Sequence, residues 1–232
     1  RCVCGWIGAA GDQCINVDGY SQMYGNAAMN RMREMRNLSR VDELARRIIE
    51  EVNDVYDVVK DDKHCDIQLS HIMDTVALPM RKVTKEEYKT SKDFCDSAKA
   101  LIAKNPELAT ARINGIMKWN IPVLERYENQ KTNPNPVLET EIHVIRLGDA
   151  VICTNRFELF TDFGIRIKAR SKALQTFIIQ LAGDGSYLPT EKAVQNGGYS
   201  ATVQSNLVGP EGGQVLLDRT VELIDSLWGE SK

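Results

Sequence analysis

Three histidines, six cysteines and a scatter of carboxylates and phenols are what this 232-residue chain offers for chemistry. His64 and His71 lie seven apart, not at the i, i+4 spacing that sets two ligands on one helical face. His143 falls mid-strand and reads as a structural histidine with satisfied nitrogens. There is no H-E-x-x-H, no serine in a G-x-S-x-G elbow, and no glycine-rich phosphate loop. Cys2, Cys4, Cys14, Cys65, Cys95 and Cys153 form neither a C-x-x-C pair nor a zinc-ribbon spacing. They read as buried free thiols, with one disulfide as the alternative for an exported protein.

Three places remain. "GAAGD" (8–12) is a small-residue turn where the backbone can come close to a ligand. "TNRFELFTDFGIRIKARS" (154–171) carries Glu158 in what reads as the first turn of a helix that follows a strand. With Asn155 as N-cap, Glu158 sits where a capping box places its glutamate, so capping is the plain reading and a ligand role the rival. Residues 183–206 are two dozen mostly polar positions with Tyr187 and Tyr199, too long for an idle connection within a domain. In isolation these tyrosines read as packing anchors of an ordered loop.

The surrounding pattern predicts a mixed α/β domain. Residues 2–9 read as a buried strand. Met29, Met32 and Met35 form a stripe read as core packing. Ser39 and Asp42 announce a helix to about residue 59, with Val41, Leu44, Ile48, Val52, Val55 and Val59 on one face. A long or bulged strand over 65–80 carries Ile67 and Leu69 and then, after a shift, Val76 and Leu78. Helices follow at about 84–104 and 108–129, the second interrupted by Pro122. Two strands meet at Gly148-Asp149, a helix starts near Asn155, a strand spans 174–181, and a last helix opens at Pro210. Its apolar face is Leu217, Val221, Ile224 and Trp228.

Composition is ordinary, with a net charge of −3, and argues against a nucleic-acid or anionic-membrane partner. The basic runs at 31–47 and 166–172 alternate with apolar positions and read as solvated faces. No stretch reaches the ~18 apolar residues needed to span a bilayer.

Taken together, the segments resemble the neutral (alkaline) ceramidases, zinc-dependent amidases, and especially their shorter bacterial relatives. "GAAGD" stands where that family has a serine-bearing S-N-x-G-D turn. "GDAVICTNRFELFTDFGIRI" keeps an E-x5-G-x-R spacing in Glu158, Gly164 and Arg166. "SYLPTEKAVQNGGYSA" resembles the loop in which a zinc-ligating tyrosine precedes a second active-site tyrosine by twelve residues, here Tyr187 and Tyr199. The resemblance implies zinc held by Glu158, Tyr187 and two histidines, with Tyr199 as the oxyanion donor. It implies Gly8, Asp12 and Arg166 at a small-molecule or lipid-like substrate, and a secreted or periplasmic bacterial protein.

This sequence departs from the family at two points. The two zinc-binding histidines have no counterpart, so they are expected from a missing N-terminal part of the domain. That agrees with a chain opening in what reads as a strand interior. Gly8 occupies the family's serine position. The rival expectations are a non-catalytic binding or scaffold protein on the same fold, and a metal-dependent hydrolase of a sugar or other non-lipid substrate.

Overall fold

The computed structural model describes residues 27–229. The strand expected over 2–9, the turn with Gly8 and Asp12, and Cys2, Cys4 and Cys14 lie outside the described residues. Helix α1 is Ala27–Met35 and α2 is Arg40–Val59. The expected capping box starts α2: the Ser39 hydroxyl accepts from Asp42 N at 3.2 Å, and Asp42 Oδ2 accepts from Ser39 N at 3.3 Å. The described apolar positions of these two stripes, however, face solvent. Met32 and Met35 are exposed, and so are Val41, Ile48, Val52, Val55 and Val59. The core-packing reading of Met32 and Met35 is therefore corrected: helical periodicity reports which face is apolar, not whether anything covers it.

Strand β1 (Leu69–Pro79) runs antiparallel to β2 (Val137–Leu147) through eleven consecutive partners, with no bulge. The shift in its apolar pattern is a change of face. Leu69 and Met73 lie on one side, Val76 and Leu78 on the other, and only the second side is buried. Between these strands α3 (Lys85–Lys104) and α4 (Ala111–Thr132) form a helical hairpin, and α4 continues through Pro122. The turn after β2 uses Gly148 at φ +58°, a left-handed conformation that suits glycine. It returns the chain into β3 (Ala150–Thr154).

Beyond β3 the chain forms the two-residue β4 (Glu158–Leu159), then α5 (Thr161–Arg170) and β5 (Gln175–Ile179). The sheet order is β1-β2-β3-β5, antiparallel but for the β3/β5 pair, so the sheet is mixed. The final helix, α7 (Pro210–Leu227), lies against β1, β2 and α5. Val76, Leu78, Ile142, Val144, Val151, Cys153 and Ile178 meet Leu216, Leu217, Val221 and Ile224 in a closed core. The approach is tight because Gly212 and Gly213 open α7. A Cβ on Gly212 would strike Val208 and the Pro79 carbonyl, and one on Gly213 would strike the Phe163 ring. At its other end Arg146 fastens α7, donating to Leu227 O at 2.5 Å with its guanidinium 4.1 Å from the Trp228 ring centroid. No helix among the described residues is long and apolar enough to cross a membrane.

Candidate functional site

Local bonding, not helix capping, decides where Glu158 goes. The helix expected at Asn155 begins instead at Thr161. Asn155 is buried, and its Oδ1 accepts from Phe157 N at 3.0 Å, a two-residue side-chain turn that competes with helix initiation. Its backbone N donates to Ile179 O at 2.9 Å, which ties the segment to the end of β5. Phe157, Leu159 and Phe160 are then drawn into the core. Glu158 is left half-buried on a strand, and the capping-box reading is corrected.

The loop over 183–206 is ordered and supplies the partner strand. It contains β6 (Tyr187–Leu188), α6 (Glu191–Asn196) and a 3-10 turn over Tyr199–Ala201. Strands β4 and β6 pair in parallel with Glu158 opposite Tyr187 and Leu159 opposite Leu188. The pair is fixed on both sides. Glu158 N donates to Ser186 O at 3.0 Å, Leu159 N to Gln180 Oε1 at 2.8 Å, and Tyr187 N to Ser205 O at 3.1 Å. Opposed residues of a sheet put their side chains on the same face. A carboxylate and a phenol thus start from adjacent backbone positions. The Glu158 carboxylate makes no hydrogen bond or ion pair with any described residue.

Tyr199 completes the group. Its ring meets that of Tyr187 edge-on, centroids 6.1 Å apart at 74°, and stacks on Trp119 of α4 at 5.9 Å. Glu158, Tyr187 and Tyr199 are thus brought together, although 41 residues of sequence separate the first from the last.

Arg166 sits elsewhere. It lies on α5, donates to Gln214 Oε1 at 2.6 Å, and lines a cavity of about 540 Å³ with Asp162, Glu191 and Glu211. None of Glu158, Tyr187 and Tyr199 lines that cavity. Gly8 and Asp12 fall outside the described residues.

Behind the tyrosines is a polar cradle that the sequence did not announce. Asn206 is fully buried, and its Nδ2 donates to Ser200 O at 2.7 Å and Tyr187 O at 3.4 Å. Arg81, at the end of β1, donates from Nη1 to Asn206 Oδ1 at 2.5 Å and to Ala201 O at 2.7 Å. Its Nη2 donates to Glu87 Oε1 at 2.8 Å. Arg126 of α4 donates to Asn206 O at 2.7 Å and Val203 O at 3.1 Å. Burial, then the adjacent Arg81 charge, pulls the Arg126 pKa down to about 10, which leaves it charged at neutral pH. Gln204 binds the same loop to α4 by donating to Asn120 Oδ1 at 3.0 Å, one residue beyond Trp119.

As a metal site the arrangement fits in part. A carboxylate and a phenol are hard oxygen donors of a kind zinc accepts, and Glu158 and Tyr187 stand side by side, the carboxylate without a partner among the described residues. They amount to half of a tetrahedral set. Among the described residues no group of three or more His, Cys, Asp and Glu side chains gathers as a metal centre. The two nitrogens of His143 lie 2.9 Å from His71 Nε2 and 2.8 Å from Glu141 Oε1. No protein-family model, no curated protein and no solved structure matches this chain.

Proposed function

We propose that this chain is the C-terminal part of a zinc-dependent hydrolase that resembles the neutral ceramidases and cleaves an amide (N-acyl) bond. In this reading it is a secreted or periplasmic bacterial protein acting on a small or lipid-like substrate. The observation that carries it is the juxtaposition of a half-buried Glu158, unpaired among the described residues, with Tyr187 in register, and Tyr199 edge-on to Tyr187. Those are the three residues that the resemblance singles out.

Glu158 and Tyr187 would hold the metal, with two histidines that the resemblance places upstream. Zinc so held supplies a Lewis acid and a bound water with a pKa near 7. Tyr199 is exposed, so its hydroxyl can donate to the oxyanion that develops when water adds to the amide carbonyl. The C–N bond then breaks and the departing amine takes the proton given up by the attacking water. Trp119 and the Asn206 cradle hold both tyrosines, so the donor is in place before the charge develops.

The test is the zinc content of protein expressed with the sequence that precedes Arg1 and purified without chelators. One zinc per chain is expected, with Glu158→Ala and Tyr187→Phe each losing about tenfold or more in affinity. Wild-type protein that holds no zinc would sink the reading and favour the rival, a binding or scaffold protein, for which Gly8 at the serine position speaks.

A further inference from the structure

We propose a second metal site, for copper, on the open face of the sheet, formed by His71 and His143 with Met73 as a soft third donor. His71 Nε2 and His143 Nδ1 are 2.9 Å apart, and His143 Nε2 is 2.8 Å from Glu141 Oε1. An ionised carboxylate only accepts, so neutral His143 carries its hydrogen on Nε2 and turns a lone pair on Nδ1 toward His71. That is the tautomer a metal requires. A carboxylate on the far nitrogen is also the usual outer partner of a metal-bound imidazole.

By elimination the shared hydrogen belongs to His71 Nε2. Metal entry asks only that this proton move to Nδ1 of the same exposed ring, so no net charge has to be lost. The rings meet edge to edge, 14° from parallel with centroids 5.1 Å apart. They must turn for the two lone pairs to converge on one ion, and both project from the side of the sheet opposite Val76, Leu78, Ile142 and Val144. The backbone beneath is fixed: the β1/β2 register is unbroken, and His143 N donates to Thr154 Oγ1 at 3.2 Å.

Met73 is the register partner of His143 and lies two residues from His71, so all three side chains rise from one face. It is exposed. Two imidazoles and a thioether suit copper better than calcium, magnesium or zinc, and divalent copper stands highest in the stability order for nitrogen donors. This site is independent of the Glu158–Tyr187 reading and stands or falls without it.

The untagged full chain, its accessible thiols alkylated with iodoacetamide, is titrated with copper(II) sulfate while amide resonances are followed by NMR. Paramagnetic broadening is expected first at residues 71–73 and 141–145. His71→Ala and His143→Ala should each weaken binding about tenfold or more, Glu141→Gln nearly as much, and Glu158→Ala not at all. Zinc sulfate should bind about tenfold more weakly than copper. Broadening centred elsewhere, or wild-type affinity in His71→Ala, overturns the proposal. His71 is exposed, so that variant keeps the test decisive even if His143→Ala folds poorly.

Discussion

Arg81 and Asn206 lie 125 positions apart in sequence and are joined through Arg81 Nη1 and Asn206 Oδ1 at 2.5 Å, at the back of the loop that carries both candidate tyrosines. The bond is one of several that converge on a fully buried amide. Asn206 accepts from Arg81 at its side chain and from Arg126 at its backbone, and donates to the carbonyls of Ser200 and Tyr187. It serves as the internal strut of residues 199–207.

Asn206→Leu keeps roughly the volume and removes every side-chain bond. Two carbonyls and part of a guanidinium are then left buried without partners, at about 1–3 kcal/mol each before relaxation. The expected loss in urea unfolding is about 3 kcal/mol. Asn206→Asp sets an oxygen against the Ser200 and Tyr187 carbonyls, but it keeps the acceptor for Arg81 and puts a charge beside the Arg81 and Arg126 guanidiniums, so it should lose less. Equal losses in the two variants would mean that the Arg81 contact contributes little.

Much of the scaffold is legible in the sequence, because its signals are local. The Ser39 cap, the turn at Gly148, Pro210 at the head of α7 and the Leu217, Val221, Ile224 stripe all act within a few residues of where they appear. The errors came where a distant partner overrides the local preference. Glu158 reads as a capping residue until Ser186 O and Gln180 Oε1 accept from Glu158 N and Leu159 N, the two backbone donors that follow Asn155's turn, and hold the segment extended. Met32 and Met35 read as core because periodicity is blind to what covers a face. The cradle of Arg81, Arg126 and Asn206 has no local signature: each residue is an ordinary polar position until the fold assembles them. Tyr187 and Tyr199 could be singled out, but their contact with each other and with Trp119 depends on a turn and on a helix from another part of the chain.

Gly213 tests how closely α7 is seated. An alanine there gains up to about 1 kcal/mol in helix propensity yet drives its Cβ into the Phe163 ring, an overpacking worth about 1–3 kcal/mol. Gly213→Ala should therefore destabilise by about 1–2 kcal/mol in chemical denaturation. Phe163→Leu alone should also destabilise, through the space it leaves. Combined, the two should cost less than their sum by about 1 kcal/mol or more. Strict additivity would show that α7 relieves the contact by shifting.

The cysteines separate by environment. Cys65 is exposed, whereas Cys95 and Cys153 are buried free thiols, and burial pushes the Cys153 thiol up to about 12. In native protein Cys65 should react with a thiol reagent at neutral pH while Cys153 reacts only on unfolding, which peptide mass mapping resolves. The same displacement sets a pH dependence. Unfolding frees Cys153 to ionise near its ordinary value of 9.0, so between about 9 and 12 the folded state holds a proton that the unfolded state releases. The thiol's stabilising contribution is complete below pH 9 and is lost as pH rises toward 12. By pH 10.5 the loss is about 2 kcal/mol. Cys153→Ala begins less stable, because it leaves a small cavity, but should decline less steeply over the same range. Parallel stability curves for the two proteins between pH 8 and 10.5 would rule out a buried, protonated Cys153 as the source of the slope.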